Sequence, residues 1–166
     1  MTDPVTQADL AAVEAQLGRP PRGVVGVAHR CPCGWPDVVT TEPRLPDGTP
    51  FPTTYYLTCP RLAGLVGGLE AAGAMREMTE RLAVDQTLAD TQTRAHLAYL
   101  ADRAGLGDVP ELDGVSAGGM PSRVKCLHAL AAHALAAGHG VNPLGDETLE
   151  AAGSWWEGGS CVAGRV

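Results

Sequence analysis

The apolar positions change period once along this chain. Leu10, Val13 and Leu17 recur three and seven residues apart, behind the good N-cap Thr6 and ahead of Gly18, which predicts a helix over about 7–17. The spacing then shortens. Val24-Val25-Gly26-Val27-Ala28 runs toward Cys31, Val38-Val39-Thr40-Thr41 leaves Cys33, and Thr53-Thr54-Tyr55-Tyr56-Leu57-Thr58 follows the Asp47-Gly48 turn and ends at Cys59. These β-branched and aromatic runs predict three short strands, with Cys31 and Cys33 near the turn between the first two.

From Pro60, a residue suited to the first helical position, the period becomes helical. Leu62, Leu65, Val66 and Leu69 form a stripe that Gly73 closes; Met75, Met78 and Leu82 continue it; Leu88, Leu97 and Leu100 mark a further helix ending near Gly105. Residues 105–120, with Pro110, Gly114, Gly118 and Gly119, read as a long loop, uncommon in a compact domain and often functional. Ser122 is placed to cap a helix over about 123–137, and a short helix is expected from Asp146, before a tail holding Trp155-Trp156 and Cys161. The expected architecture is α+β: a single domain over 1–166, with a small antiparallel sheet of about three strands in the first third packed by four to six helices, and residues 154–166 as a candidate flexible tail.

Length and charge narrow the function. A chain of 166 residues buries one core without disulfide staples. Its net charge of −7 argues against a general nucleic-acid or membrane-surface binder, since either needs a basic face. The amino terminus has neither the positive stretch nor the apolar run of a signal peptide, and no apolar run approaches transmembrane length, so the expected location is cytoplasmic. In that reducing compartment the five cysteines read as thiols or ligands, and their odd number forbids complete pairing. Isoleucine is absent, and Lys125, Asn142 and Phe51 are each the sole residue of their type, a bias that fits a GC-rich genome. A residue kept against that bias is a candidate for needed chemistry. Lys125 adjoins Cys126, while Phe51, Tyr55 and Tyr56 shortly precede Cys59.

Four cysteines sit at expected element ends. Cys31 and Cys33 are two residues apart, so in extended backbone their side chains leave the same side, roughly 7 Å apart at Cα. Pro32 and Gly34 can bend them onto one ion. Cys59 ends a strand, and Cys126 falls in the first turn of a helix, where the dipole favours thiolate. Cys31, Cys33, Cys59 and Cys126 are therefore the candidate ligands, for tetrahedral zinc or, alternatively, for an iron–sulfur cluster. The Cys31-Pro-Cys33-Gly34 step is similar to the opening of the zinc knuckle at the tail of some preprotein-translocase motors, without its Cys-His half. Cys31-Pro and Cys59-Pro are similar to the Cys-Pro steps beside ferredoxin clusters. Simple packing is the competing account, since cysteine is among the most buried residue types, and it is preferred for Cys161 near the terminus.

On the expected helix 123–137, Val124, Leu127, Ala131, Ala134 and Leu135 form the apolar face. His128 points about 160° away from Cys126, which excludes the two from one ion while the segment is helical. Lys125 and His128 share a flank instead, and with Cys126 as a thiolate nucleophile they make a candidate catalytic set for a small anionic substrate. Arg123, the helix N-terminus and the backbone of Gly118 and Gly119 would hold the anion, although the loop lacks the Gly-Lys-Ser/Thr ending of a P-loop. His133 is expected to be hydrogen-bonded and half-buried. No hydrolase elbow, His-Glu-x-x-His or dinucleotide fingerprint is present.

Taken together, Arg30-Cys-Pro-Cys-Gly34, Asp47-Gly-Thr-Pro-Phe-Pro-Thr53 running to Tyr55-Tyr-Leu-Thr-Cys-Pro60, Gly118-Gly-Met-Pro-Ser-Arg-Val-Lys-Cys-Leu-His128 and Asn142-Pro-Leu-Gly145 resemble the domain-of-unknown-function 501 family of GC-rich bacteria, over about residues 5–162. The resemblance implies a small cytosolic protein, often encoded beside a septum-formation coiled-coil protein and an exopolyphosphatase-like enzyme. It marks the cysteine and Lys-Cys-Leu-His segments as family motifs and assigns them no role. The leading expectation is a cysteine-ligated metal-binding protein. A thiol-dependent enzyme built on Cys126, and a non-enzymatic partner protein linked to cell division that docks through Trp155 and Trp156, are the alternatives.

Overall fold

The computed structural model describes residues 2–162. Helix α1 spans Gln7–Leu17 and is closed at both ends by its own sequence: Thr6 and Asp9 form a reciprocal capping box, and Gly18 takes the left-handed conformation at φ 72°. Strands β1 (Val24–Arg30), β2 (Pro36–Thr41) and β3 (Tyr55–Leu57) then form one antiparallel sheet in that order, with Val27 opposite Val39 and Val39 opposite Tyr56. β3 is shorter than its composition suggests, and the Thr54 amide ahead of it is held by the Tyr99 hydroxyl at 2.6 Å.

Five helices follow: α2 (Pro60–Ala71), α3 (Ala74–Val84), α4 (Gln86–Ala104), α5 (Leu127–Ala137) and α6 (Pro143–Ala152). The fold is α+β, with the sheet early in the chain. Helix α5 is the most enclosed of them: Leu127, Leu130, His133 and Ala129, Ala131, Ala132 and Ala134 are all buried, because it packs on the sheet and on α2 and α6. Its alanines let neighbours come close. Gly145 of α6 lies on the Leu130 carbonyl, and a Cβ there would stand 2.8 Å from the Ala134 methyl.

Several sequence expectations are corrected. Helix α4 forms as expected, but its inner face is not the Leu88, Leu97, Leu100 stripe: Leu97 is 57 % exposed, and Gln92, Ala95, His96, Tyr99 and Arg103 are buried instead. Two of those polar groups hold the following segment, His96 Nδ1 pairing with Ser116 Oγ at 2.8 Å and Arg103 donating to the Leu112 carbonyl at 2.7 Å. The 105–120 stretch is the expected long loop, broken by a 3-10 turn at Pro110–Leu112 and anchored at Leu112 and Ser116, with most of residues 105–115 exposed. Helix α5 starts at Leu127 rather than near 123, because the preceding turn winds on itself: the Lys125 amide donates to Gly118 at 2.7 Å and the Val124 amide to Thr79 Oγ1 at 3.0 Å. Helix α6 starts at Pro143, capped by Asn142, whose side-chain oxygen accepts from the Gly145 amide at 3.0 Å. In the stretch expected to be a flexible tail, Trp155, Cys161 and Val162 are buried, and residues 163–166 lie outside the described residues.

His133 is fully rather than half buried. Its ring stacks on Tyr55 at 5.9 Å, meets Tyr99 edge-on at 5.1 Å, and accepts at Nδ1 from Asn142 Nδ2 at 3.1 Å. Burial pushes its pKa down to about 4 from 6.5, so the ring is neutral at pH 7. The unfolded chain takes up this proton below pH 6.5 and the folded protein only near 4. Stability is therefore full above the unfolded value and falls as the pH drops through this window, by about 3 kcal/mol for this group. Urea unfolding at pH 7 and pH 4.5 should show that loss, and His133→Gln should remove its share of the slope; an unchanged slope in the variant would refute the assignment. Gly145→Ala should cost about 1–3 kcal/mol by overpacking, read as a lower urea midpoint with an unchanged m-value.

Candidate metal centre

The β1–β2 connection is a tight turn. The Cys31 amide donates to the Trp35 carbonyl at 2.9 Å, the Gly34 amide to the Cys31 carbonyl at 2.8 Å, and Gly34 takes φ 96°, a conformation that excludes most side chains. This turn brings Cys31 and Cys33 to one end of the sheet. Cys59, just beyond β3, is the N-cap residue of α2 and arrives at the same end. The chain returns there after a 3-10 turn at Trp155–Gly158 and delivers Cys161. The sulfurs of Cys31, Cys33 and Cys161 all lie within 4.8 Å of one another, with Cys33 and Cys161 at 3.1 Å. Cys59 lies beside this group but outside it: its sulfur is not within 4.8 Å of all three. Cys31, Cys59 and Cys161 are buried and Cys33 is half-buried.

Each sulfur meets a donor. Gln16 Nε2 reaches Cys161 Sγ at 3.3 Å while also donating to the Pro36 carbonyl at 2.8 Å. The Cys161 thiol, followed by the amides of Leu62 and Arg61, holds the Cys59 pKa down at about 7 against the effect of burial. Burial raises Cys33, but the amides of Cys161 and Trp35 outweigh it and the net shift is downward. Cys31 is pushed up to about 11, by burial first, with its neighbour's amide opposing. Cys161 is pushed up strongly, first by donating to Cys59 and then by burial. A buried carboxylate adds to the negative potential: Asp37 has no exposure, one oxygen paired with His29 Nδ1 at 2.7 Å and the other without a partner, and its charge raises both Cys31 and Cys59. Among the described residues this pocket gathers acids without a buried cation to match them.

Cys126 goes elsewhere. It is grouped with Glu70 and His128, whose ligand atoms and its own sulfur fall within 4.8 Å of one another. The expectation that Cys126 and His128 diverge assumed a helix through both; Cys126 is the N-cap of α5, extended at φ −153°, and so swings back toward His128. Lys125 and Arg123 are exposed and precede the helix, which removes the shared flank expected for Lys125 and His128. Gly118 and Gly119 do take left-handed conformations, but their turn is filled from within: the Lys125 and Arg123 amides donate back to it. The N-terminus of α5 is already met by a carboxylate, Glu70 accepting from the Leu127 amide at 2.8 Å. Sequence reasoning assigned Cys161 to packing and passed over Gln16, Asp37 and Glu70. A fifth cysteine was the available signal for the first; no local pattern marks the others.

Fold and site together define a small α+β protein in which sheet end, helix start and carboxyl-terminal segment meet at clustered thiols. The chain belongs to the family described as Protein of unknown function (DUF501), whose model matches residues 27–150. That span includes Cys31, Cys33, Cys59 and Cys126 and stops short of Cys161. No curated protein and no solved structure matches the chain. No helix of the described residues is long and apolar enough to cross a membrane.

Proposed function

We propose that this protein binds one transition-metal ion, zinc, through Cys31, Cys33, Cys59 and Cys161. The observation that carries the reading is the convergence of three thiols, Cys31, Cys33 and Cys161, within 4.8 Å of one another, with Cys59 at the same end of the sheet as the fourth ligand that a small shift of its side chain would bring in. A zinc–sulfur bond of about 2.3 Å sets tetrahedral sulfurs about 3.8 Å apart, inside the 4.8 Å spread of the three tightest. An iron–sulfur cubane binds each cysteine to a different iron and spreads the sulfurs farther, which favours a single ion. Soft thiolates select zinc among the common divalent ions, and its charge would offset that of Asp37. With four protein ligands the centre is closed, so its role is to staple the chain's end onto the sheet and α2.

A second reading rests on the 3.1 Å contact of Cys33 and Cys161, which suits a reversible disulfide. A docking role keeps Trp156, half-exposed beside the buried Trp155. The nucleophile reading of Cys126 loses support because the ring nitrogens of His128 face Glu70 and the Ala63 carbonyl.

Cobalt-substituted protein should show an intense thiolate charge-transfer band that Cys33→Ser and Cys161→Ser each reduce by more than half and of which Cys126→Ser leaves the larger part. Protein purified in air and without oxygen should carry zinc removable by chelation, with a fall in melting temperature. Metal-free protein from both preparations, or intact masses lighter by two hydrogens, would replace the metal reading with the disulfide one. Gln16→Leu removes the donor to Cys161 and should weaken metal retention roughly 10–100-fold in chelator competition, with the apo-protein's circular dichroism unchanged.

A further inference from the structure

Glu70 Oε1 and His128 Nδ1 face each other at 3.1 Å, and the partners around them decide what lies between. His128 Nε2 is 3.0 Å from the Ala63 carbonyl, which only accepts, so the ring proton sits on Nε2. In the neutral ring Nδ1 then presents a lone pair. Glu70 Oε1 is also an acceptor, already receiving the Leu127 amide at 2.8 Å. Two lone pairs do not meet at hydrogen-bond distance without a positive species between them, either a proton on Nδ1 or a metal ion.

The surroundings favour a metal ion. Cys126 supplies a third donor within 4.8 Å of both groups, giving one nitrogen, one oxygen and one sulfur. Ligand bonds of about 2.0–2.1 Å put tetrahedral nitrogen and oxygen donors about 3.3 Å apart, close to the observed 3.1 Å. Each of the two has the outer contact that ligands use for orientation: a backbone carbonyl on the imidazole and a backbone amide on the carboxylate. The three come from two elements packed together, the last turns of α2 and the start of α5.

We propose that Glu70, Cys126 and His128 form a second divalent-metal site of the zinc class, separate from the four-thiol centre, with its fourth position open. Cys126 and His128 border a cleft of about 290 Å³ walled by Tyr55, Tyr56, Leu57 and Ala129. Side-chain exposures of 33 % for His128 and 22 % for Glu70 leave the site reachable from solvent. Three protein ligands and an open position are the arrangement of a catalytic rather than a structural zinc. The fourth position takes water or one oxygen of a small molecule whose body lies against the tyrosines. Glutamate and thiolate neutralise the ion, so the ligand's affinity depends on the metal rather than on a basic patch.

The test is titration of the full-length apo-protein with zinc, followed by elemental analysis after desalting. Wild type should take up a second equivalent that Cys126→Ser, His128→Gln and Glu70→Gln each weaken at least tenfold, while the thiolate-rich cobalt spectrum of the other centre persists. Cys161→Ser should do the reverse, so loss of the first centre and loss of this one are separable. Imidazole nitrogen resonances give a readout that folding defects do not imitate: zinc should shift His128 Nδ1 in wild type. Uptake that stops at the four-thiol centre, or a His128 ring protonated on both nitrogens and unmoved by excess zinc, would identify a plain ion pair with Glu70 and overturn the proposal.

Discussion

Helix α5 has almost no face left for water, and a helix enclosed on all sides must find a partner for every surface it presents. Alanine at most of its positions makes that possible, because neighbours can approach its backbone closely, as Gly145 of α6 does at Leu130. The sheet covers one side and α2 another. Both candidate sites follow from this enclosure. Helix α2 spans from the thiol cluster, with Cys59 at its N-cap, to Glu70 near its end, roughly 16 Å at the α-helical rise. Packing α2 on α5 therefore sets one candidate ligand group at each end of α2.

Burial also sets the electrostatics. Thiols and a carboxylate sit in the same poorly solvated pocket, where each ionisation makes the next harder, and the opposite shifts of Cys59 and Cys161 express that competition. One proton shared between them is a partial answer; a divalent cation is a fuller one. The tyrosine–histidine stack behind the sheet works by the same physics in reverse. His133 is held neutral by its surroundings, and Asn142 links it to the start of α6, so a polar network organises the core without a buried charge.

Much of the fold was legible locally. The capping box at Thr6 and Asp9, the stop at Gly18, Pro60 at a helix start and Gly73 between helices depend on residues within a turn of each other, and each lies where its chemistry points. The misreadings share a cause. Helix α4 turns a polar face inward because Arg103 and His96 find partners on the loop that follows it and Tyr99 on the segment before β3, which no periodicity registers. Helix α5 starts late because Gly118 and Thr79 take the amides of the residues before it. Asn142, sole of its kind, proved to be kept for capping and core hydrogen bonds.

The candidate site divides along the same line. Residue types and short-range spacing determined that Cys31 and Cys33 share a turn and that Cys59 heads a helix, because backbone geometry over a few residues is local. Which cysteine joins the Cys31–Cys33 turn was decided by tertiary structure alone. Cys161 arrives from more than a hundred residues away and Cys126 departs to Glu70, since chain path and packing, rather than sequence neighbours, bring side chains from separate elements within bonding reach.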